Sequence, residues 1–528
     1  MNDIIIPLAC QLLESELKAT AVSLACCRRS FEDPVMKVLW WTQNQLTPLL
    51  RCLPREVWGK GARSLVSDTA ALYLLSTLIH LLSKYFQRIP TKAEWNYFQK
   101  YARRMQKLKV DPCNHPVPSE TLLVLQSRTV KEPFLPGLKI FTCKTATKAF
   151  IPFIPIFISP KTVEIDILFA EGTPIVTVAS IIRMFPTLCP NLKNISMFHL
   201  QRHPVIVDAV LEMFLACNPD FLREFFVDSP LTEEAQGVIY RLPKLSGLWV
   251  FIEGHAPLPR LALPSLTFIN IKYGDHLDWL QGFRGAMLNH LNSVSFSTES
   301  KHIGDFLGAF ESIALQMSIP NTLLWFKFHT SCSWNPNYSS PLSFKQLRHL
   351  QINFSCDGGC SLRVDDNVVT TLAQAMPMLE VLQLGNAPCK TPTLTGATVH
   401  GLIALASRCP HLSKLCIHFL GNTLAIPPTN VIMTLLPTSE PVVPQEDCTL
   451  TDLEVGDIAI PSVTKVTMML LQIFPCILNI EYTNPNWRRV AENIKDFRGI
   501  TALVRHSWVS PIQSPLVAPN DRLVGGWN

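Results

Sequence analysis

The stretch Cys189-Pro190-Asn191-Leu192-Lys193-Asn194-Ile195-Ser196-Met197-Phe198 decides the fold. A proline stops any helix before it, because it has no N–H to donate and pushes the preceding residue out of the helical region. Two residues on, a leucine opens a pulse with apolar side chains at its first, fourth and sixth positions: Leu192, Ile195 and Met197. The alternation that ends the pulse has period two, as in a short strand with one buried face. The same joint recurs as Leu242-Pro243-Lys244-Leu245, Leu263-Pro264-Ser265-Leu266, Met376-Pro377-Met378-Leu379 and Cys409-Pro410-His411-Leu412.

Comparable pulses begin at Leu138, Val163, Leu222, Leu291, Leu323, Leu347 and Leu450, with a weaker one at Ile477, and successive starts lie 21 to 38 residues apart. Each interval holds one pulse, so the strands are not joined by hairpins. The intervening stretches 205–216, 304–316, 366–375 and 399–406 place apolar residues at three- and four-residue steps, which predicts helices. Strand, helix, strand in one direction gives an α/β chain with a parallel sheet on one side and helices on the other. This pattern resembles leucine-rich repeats of the irregular, helix-containing kind, over about residues 138–482. The resemblance implies a solenoid whose units share one continuous core.

Composition agrees with a large core: of 528 residues, 48% are hydrophobic and only 16% charged. No apolar run reaches the roughly 18 residues of a membrane span. Phe150–Ile158 is broken by Pro152 and Pro155, and 72–86 carries His80 and Lys84. No leader is evident at the N-terminus. The sixteen cysteines, irregularly spaced, then read as reduced thiols of a cytoplasmic or nuclear protein. The segment 421–449 is proline-rich and reads as a loop insertion. So does 330–343, with Trp334 and Tyr338 at its tip. Residues 484–528 read as a partly disordered tail.

No phosphate loop, dinucleotide fingerprint, zincin motif or nucleophile elbow occurs. Cys356 and Cys360 with Asp365 and Asp366 lack a second pair at zinc-finger spacing. Neither catalysis, a cofactor nor a metal is therefore expected.

The N-terminal fifth differs. Residues 1–110 hold 16 Lys and Arg against 8 Asp and Glu, and the remainder holds 30 against 33. A helix is predicted from Leu12 to Cys27, capped by Ser15, and a second one after Pro34 ending at Trp40-Trp41. Thr91-Lys92-Ala93-Glu94 is a capping box. It opens a predicted basic helix whose apolar stripe is Trp95, Phe98, Ala102, Met105 and Leu108, a cap for the first repeat. A nucleic-acid contact there is the weaker reading.

The order Ile6-Pro7, Glu16-Leu17, Leu24 to Phe31, Pro34 and Leu39-Trp40 resembles an F-box. An F-box ahead of a leucine-rich array is the plan of a large set of proteins in mushroom-forming fungi. The resemblance implies three segments: an F-box-like one over 1–41, a helical linker and cap over 42–130, and the array over 131–483. It also implies a role, as the substrate receptor of an SCF-type ubiquitin ligase. Ile6, Pro7, Leu8, Leu12, Leu13 and Leu17 would dock the ligase adaptor, and the array would hold an unknown protein substrate. Only about ten residues separate Ile6-Pro7 from Glu16-Leu17, shortening the first helix. That leaves a second reading, a repeat scaffold with a decayed F-box and no ligase connection. Substrate contacts are expected from solvent-facing strand and loop residues: Lys193, Arg223, Trp249, Lys327, Gln351, Gln383, Trp334 and Tyr338.

Overall fold

A computed structural model describes residues 18–27, 29–57, 88–129, 133–200, 203–252, 263–273, 288–298, 322–330, 344–354, 364–385, 397–417, 448–455, 460, 462–482 and 485–509. The chain divides into two compact units, Met1–Ser331 and Cys332–Asn528. In the first, ten strands pair in sequence order: β1 (Thr42–Gln43), β2 (Lys107–Val110), β3 (Ile140–Ala146), β4 (Glu164–Phe169), β5 (Asn194–Phe198), β6 (Glu224–Pro230), β7 (Gly247–Ile252), β8 (Phe268–Tyr273), β9 (Ser293–Thr298) and β10 (Trp325–Thr330). In the second, β11 (His349–Phe354), β12 (Val381–Leu384), β13 (Lys414–Ile417), β14 (Asp452–Val455) and β15 (Asn479–Tyr482) do the same. Every neighbouring pair whose register is described is parallel. Each sequence pulse from Leu138 to Ile477 holds one strand, β3 to β15. The repeat architecture, parallel strands with helices packed behind them, is the expected one.

The joint is a tight turn. Leu192 N–H donates to Cys189 O at 3.1 Å, Leu245 to Leu242, Leu266 to Leu263, Leu379 to Met376 and Leu412 to Cys409. Proline therefore occupies the second corner of the turn, where its fixed φ belongs. The residue before it leaves the helix, with φ −137° and ψ 73° at Cys189 and φ −119° and ψ 73° at Cys409. Leu288-Asn289-His290-Leu291 and Phe344-Lys345-Gln346-Leu347 make the same bond without proline. The opening leucine of each pulse is buried.

Register stacks like positions. Leu108, Phe141, Ile165, Ile195, Phe225, Leu248, Ile269, Val294 and Phe326 form one buried ladder across β2 to β10. Cys143, Ile167, Met197 and Val227 form part of a second, with Val250, Ile271, Phe296 and Phe328 beyond the irregular β6–β7 register. Behind them lie helices such as Ile175–Leu188 and Pro204–Ala216, the second presenting Ile206, Ala209, Val210, Met213 and Phe214 to the core. In the second unit the helices Asp366–Ala375, Val399–Arg408 and Val463–Ile473 start on side-chain caps from Asp365, Thr398 and Ser462. The helix predicted at 304–316 and the insertion from 421 to 447 lie outside the described residues.

Three expectations need correction. The basic helix keeps its capping box, Glu94 N–H to Thr91 Oγ1 at 3.4 Å and Thr91 N–H to Glu94 Oε2 at 2.7 Å, but ends at Ala102. Met105 and Leu108 are buried as expected, yet Leu108 belongs to β2, because Lys107–Val110 finds a strand partner in β3. Local periodicity could not reveal that partner, 33 residues downstream. The second N-terminal helix starts before Pro34, running from Arg29 to Trp41. The tail is a helix from Pro485 to Val509 rather than disordered over that span: Trp487, Val490 and Ile494, spaced three and four apart, are buried. Residues 510–528 lie outside the described ones.

Candidate protein-recognition face

Side chains at the third, fifth and seventh positions of each repeat point away from the helices. The repeat of β4 opens at buried Thr162, one residue before the predicted Val163, which holds the second position with its N–H on Lys139 O at 2.8 Å. In the first unit the third-position row reads Lys107, Ile140, Glu164, Asn194, Glu224, Gly247, Phe268, Ser293, Trp325. The fifth-position row reads Lys109, Thr142, Asp166, Ser196, Phe226, Trp249, Asn270, Ser295, Lys327. The seventh position adds Phe198 on β5 and Lys272 on β8. Carboxylates therefore gather on β4 and β6, aromatic rings on β5 to β8, and cations on β2, β8 and β10.

The aromatic rings meet across intervening strands. Phe198 of β5 reaches Trp249 of β7, ring centroids 5.0 Å apart and edge to face. Phe226 of β6 reaches Phe268 of β8 at 5.9 Å, also edge to face. Gly247 makes the second contact possible. A Cβ there would stand 3.2 Å from Phe226 Cζ, 3.3 Å from Phe226 Cε1 and 3.2 Å from Glu224 Cγ. A side chain at 247 would thus press on the ring that passes over it. Edge-to-face pairs of this kind contribute about 0.5–1.5 kcal/mol beyond their buried area, so the belt is held in place before anything binds. Trp249 Nε1 and Asn270 Oδ1, on adjacent strands in register, have no hydrogen-bond partner among the described residues.

The carboxylates are strained electrostatically. Burial pushes the Asp166 carboxyl up, as does nearby Glu164, with Lys109 and Lys107 pulling the other way. Burial, then Glu164, pushes Glu224 up as well. Asp228 is already engaged: its carboxylate accepts the N–H of His199 at 2.6 Å and of Leu200 at 3.0 Å, holding His199 at φ 59°. Toward the other end, burial and then Lys327 and Lys272 push His329 down.

The predicted contact residues separate by position. Trp249 and Lys327 lie on this face, and Gln351 and Gln383 lie paired in register on the corresponding face of the second unit. Lys193 and Arg223 hold second positions, in the turn rather than on the face. Their carbonyls each accept two N–H groups from the next repeat: Arg223 and Glu224 onto Lys193 O at 2.7 and 3.1 Å, Ser246 and Gly247 onto Arg223 O at 2.7 and 3.0 Å. At Ser246, Thr267, Ser413 and Thr451 the same position adds a hydroxyl bond to the preceding repeat. The second position is therefore a stacking position. Trp334, Tyr338, Ile6, Pro7, Leu8, Leu12, Leu13 and Leu17 lie outside the described residues. Glu164, Asp166, Phe198, Glu224, Phe226 and Phe268 were not singled out from sequence. Odd positions of the pulses from Leu192, Leu222 and Leu266 put Phe198, Glu224, Phe226 and Phe268 on the face, but not beside one another. Glu164 and Asp166 are even positions counted from Val163, and only the register with Asn194 and Ser196 brings them there.

Other chemistry is sparse. Burial pushes the Cys143, Cys189 and Cys409 thiols up to about 12, which keeps them protonated at neutral pH. Among the described residues no three His, Cys, Asp or Glu side chains are grouped to hold a metal, and no helix is long and apolar enough to cross a membrane. Cys356 and Cys360 lie outside the described residues.

N-terminal to the sheet, the helices Lys18–Cys27 and Arg29–Trp41 pack on each other through Ala21, Ala25 and Val35, with Leu24, Phe31, Val38 and Leu39 around them. The Trp40 ring lies tilted against Tyr101, centroids 5.2 Å apart, Gln106 N–H donates to Trp41 O at 3.1 Å, and Arg104 pairs with Asp33.

No protein-family profile matches the chain, and no curated protein matches it in sequence. Among solved structures, the crystal structure of the Rad7 and Elc1 complex in yeast is similar at a TM-score of 0.32 and 14% identity, covering 57% of this chain and 77% of that one. A likeness that loose transfers nothing of that complex to this chain.

Proposed function

We propose that this chain is a non-catalytic recognition subunit of the cytoplasm or nucleus: the open face of its repeats binds a protein, and residues 1–41 couple that protein to an SCF-type ubiquitin ligase. The observation that carries the first part is the preassembled aromatic belt beside half-buried carboxylates on a sheet face. Fixed aromatic rings supply large contact area at small entropic cost, and protein interfaces are enriched in them. The second part is supported by the F-box-like residue order of 6–40 and by the two-helix pack around Ala21, Ala25 and Val35.

The test is binding of the purified ligase adaptor to the full chain, with an established F-box protein as positive control. Adaptor binding is expected, and loss of it in Leu13→Glu and Leu17→Glu as well as on deletion of 1–41. The point variants are needed because residues 33, 40 and 41 also contact the linker. No binding by the full chain, where the control binds, would leave the second reading: a repeat scaffold without a ligase. The short spacing from Ile6-Pro7 to Glu16-Leu17 favours that reading.

A further inference from the structure

Taking the open face of the first unit as a protein-binding surface, we infer that its occupant is a short extended segment of another protein, with arginine or lysine at one end and aliphatic or aromatic residues after it. The basic end lies over β4–β6 and the apolar part over β6–β8.

The charge pattern selects the occupant. Glu164, Asp166 and Glu224 stand on β4 and β6 with only Asn194 and Ser196 between them in register. Among the described residues no hydrogen bond or ion pair closes on these three. Lys109 and Lys107 act on Asp166 from β2, but Glu164 bears on both Asp166 and Glu224, so the cluster favours an incoming cation. The aromatic belt adjoins them directly, since Phe226 follows Glu224 on the same strand by one outward step. Arginine suits this junction best, because its planar cation pairs with a carboxylate and lies on an aromatic face at once.

Geometry sets the length. Strands in a sheet stand about 4.8 Å apart, so β4 to β8 spans roughly 19 Å. An extended chain covers that in about six residues at roughly 3.3 Å each. Beyond β8 the face turns basic at Lys327, beside His329. Lys272 on β8 and Lys107 and Lys109 on β2 are basic as well. A uniformly basic segment would therefore be repelled on both sides of the carboxylates, and the occupant's cation is confined to β4–β6 with the apolar residues toward the aromatic belt. A nucleic-acid backbone would meet carboxylates at the centre of the face and is disfavoured.

The experiment is selection of a phage-displayed random decapeptide library on the immobilised full chain. Fluorescence polarisation of the selected peptides is then read against wild type, the near-isosteric Glu164→Gln/Glu224→Gln variant and the Phe226→Ala/Trp249→Ala variant. Circular dichroism confirms that each variant is folded. Peptides with Arg or Lys followed by apolar residues are expected, their Kd rising at least tenfold in the carboxylate variant and also as salt is raised from 50 to 500 mM. Peptides that lose binding in the aromatic variant but show no basic enrichment and no response to the carboxylate change would overturn the inference and leave the protein-binding reading standing. So would enrichment of acidic peptides. Peptides that bind all three proteins equally, or no peptides at all, would overturn both.

Discussion

Gly137 is where this fold leaves least room. It lies in the turn Leu135-Pro136-Gly137-Leu138, closed by Leu138 N–H to Leu135 O at 3.1 Å, and leads into β3. A Cβ at 137 would stand 2.4 Å from the carbonyl oxygen of Arg103 and 3.1 Å from that of Met105. Ordinary contact begins near 3.4 Å, so in Gly137→Ala the turn and the end of the Lys92–Ala102 helix must part by about 1 Å. Both obstacles are backbone, and no side chain can swing away. Met105, Leu108 and Leu138, all fully buried, resist the movement from either side. Overpacking of this kind costs about 1–3 kcal/mol. The smaller entropy of the unfolded alanine chain returns about 0.4–1 kcal/mol, so a net loss of about 1–2 kcal/mol is expected.

Repeat arrays open locally, so the measurement is hydrogen exchange at Lys139 and Ile140, whose N–H groups both donate to Gln106 O, at 2.8 and 2.9 Å. Their protection falls by roughly 5- to 30-fold for that loss. Gly237 is the control of opposite sign. It lies within the Glu233–Ile239 helix, and nothing stands inside 4 Å of the place a methyl group would take there. Gly237→Ala therefore stabilises by about 0.5–1 kcal/mol and raises protection at Tyr240, whose N–H donates to Gln236 O. Unchanged protection at 139 and 140 in Gly137→Ala, with Gly237→Ala behaving as stated, would refute the close approach of β3's turn to the Arg103–Met105 backbone.

Three further outcomes are expected. Asp366 Oδ1 accepts the N–H of Thr398 at 2.6 Å and of Gly401 at 3.0 Å, at the start of the neighbouring helix. Asp366→Ala should cost about 1–3 kcal/mol, read as faster exchange at the first turn of Val399–Arg408, and an unchanged first turn would count against this cross-repeat cap. Phe225→Ala removes a fully buried ring that packs 4.3 Å from Phe214, and should cost about 3–5 kcal/mol in chemical denaturation. The Cys143, Cys189 and Cys409 thiols titrate at about 12 folded against an ordinary 9.0 unfolded. The unfolded chain therefore loses their protons first, and stability present below pH 9 declines as pH rises from 9 toward 12. Replacing all three by alanine should flatten that decline. In iodoacetamide labelling at pH 8 these three stay unmodified while exposed Cys26, Cys27 and Cys113 react, and equal labelling would contradict their burial.

The repeat is legible in neighbouring residues: the proline joint, the buried first, fourth and sixth positions, and hence a parallel α/β array. These are properties of neighbouring residues, set by the missing proline N–H and by strand periodicity, and so they can be read locally. The Thr91–Glu94 capping box, which spans four residues, is legible in the same way. What lies beside what depends on strand pairing between distant residues. Lys107–Val110 became a strand because β3 offers it a partner, and Lys193 and Arg223 fell in the stacking turn because each pulse enters its strand one residue later. The aromatic and acidic face of the sheet is likewise a product of register. Phe198 and Trp249 are 51 residues apart, and Phe226 and Phe268 are 42 apart. They meet because parallel pairing aligns every repeat and, for Phe226 and Phe268, because Gly247 leaves room for the Phe226 ring.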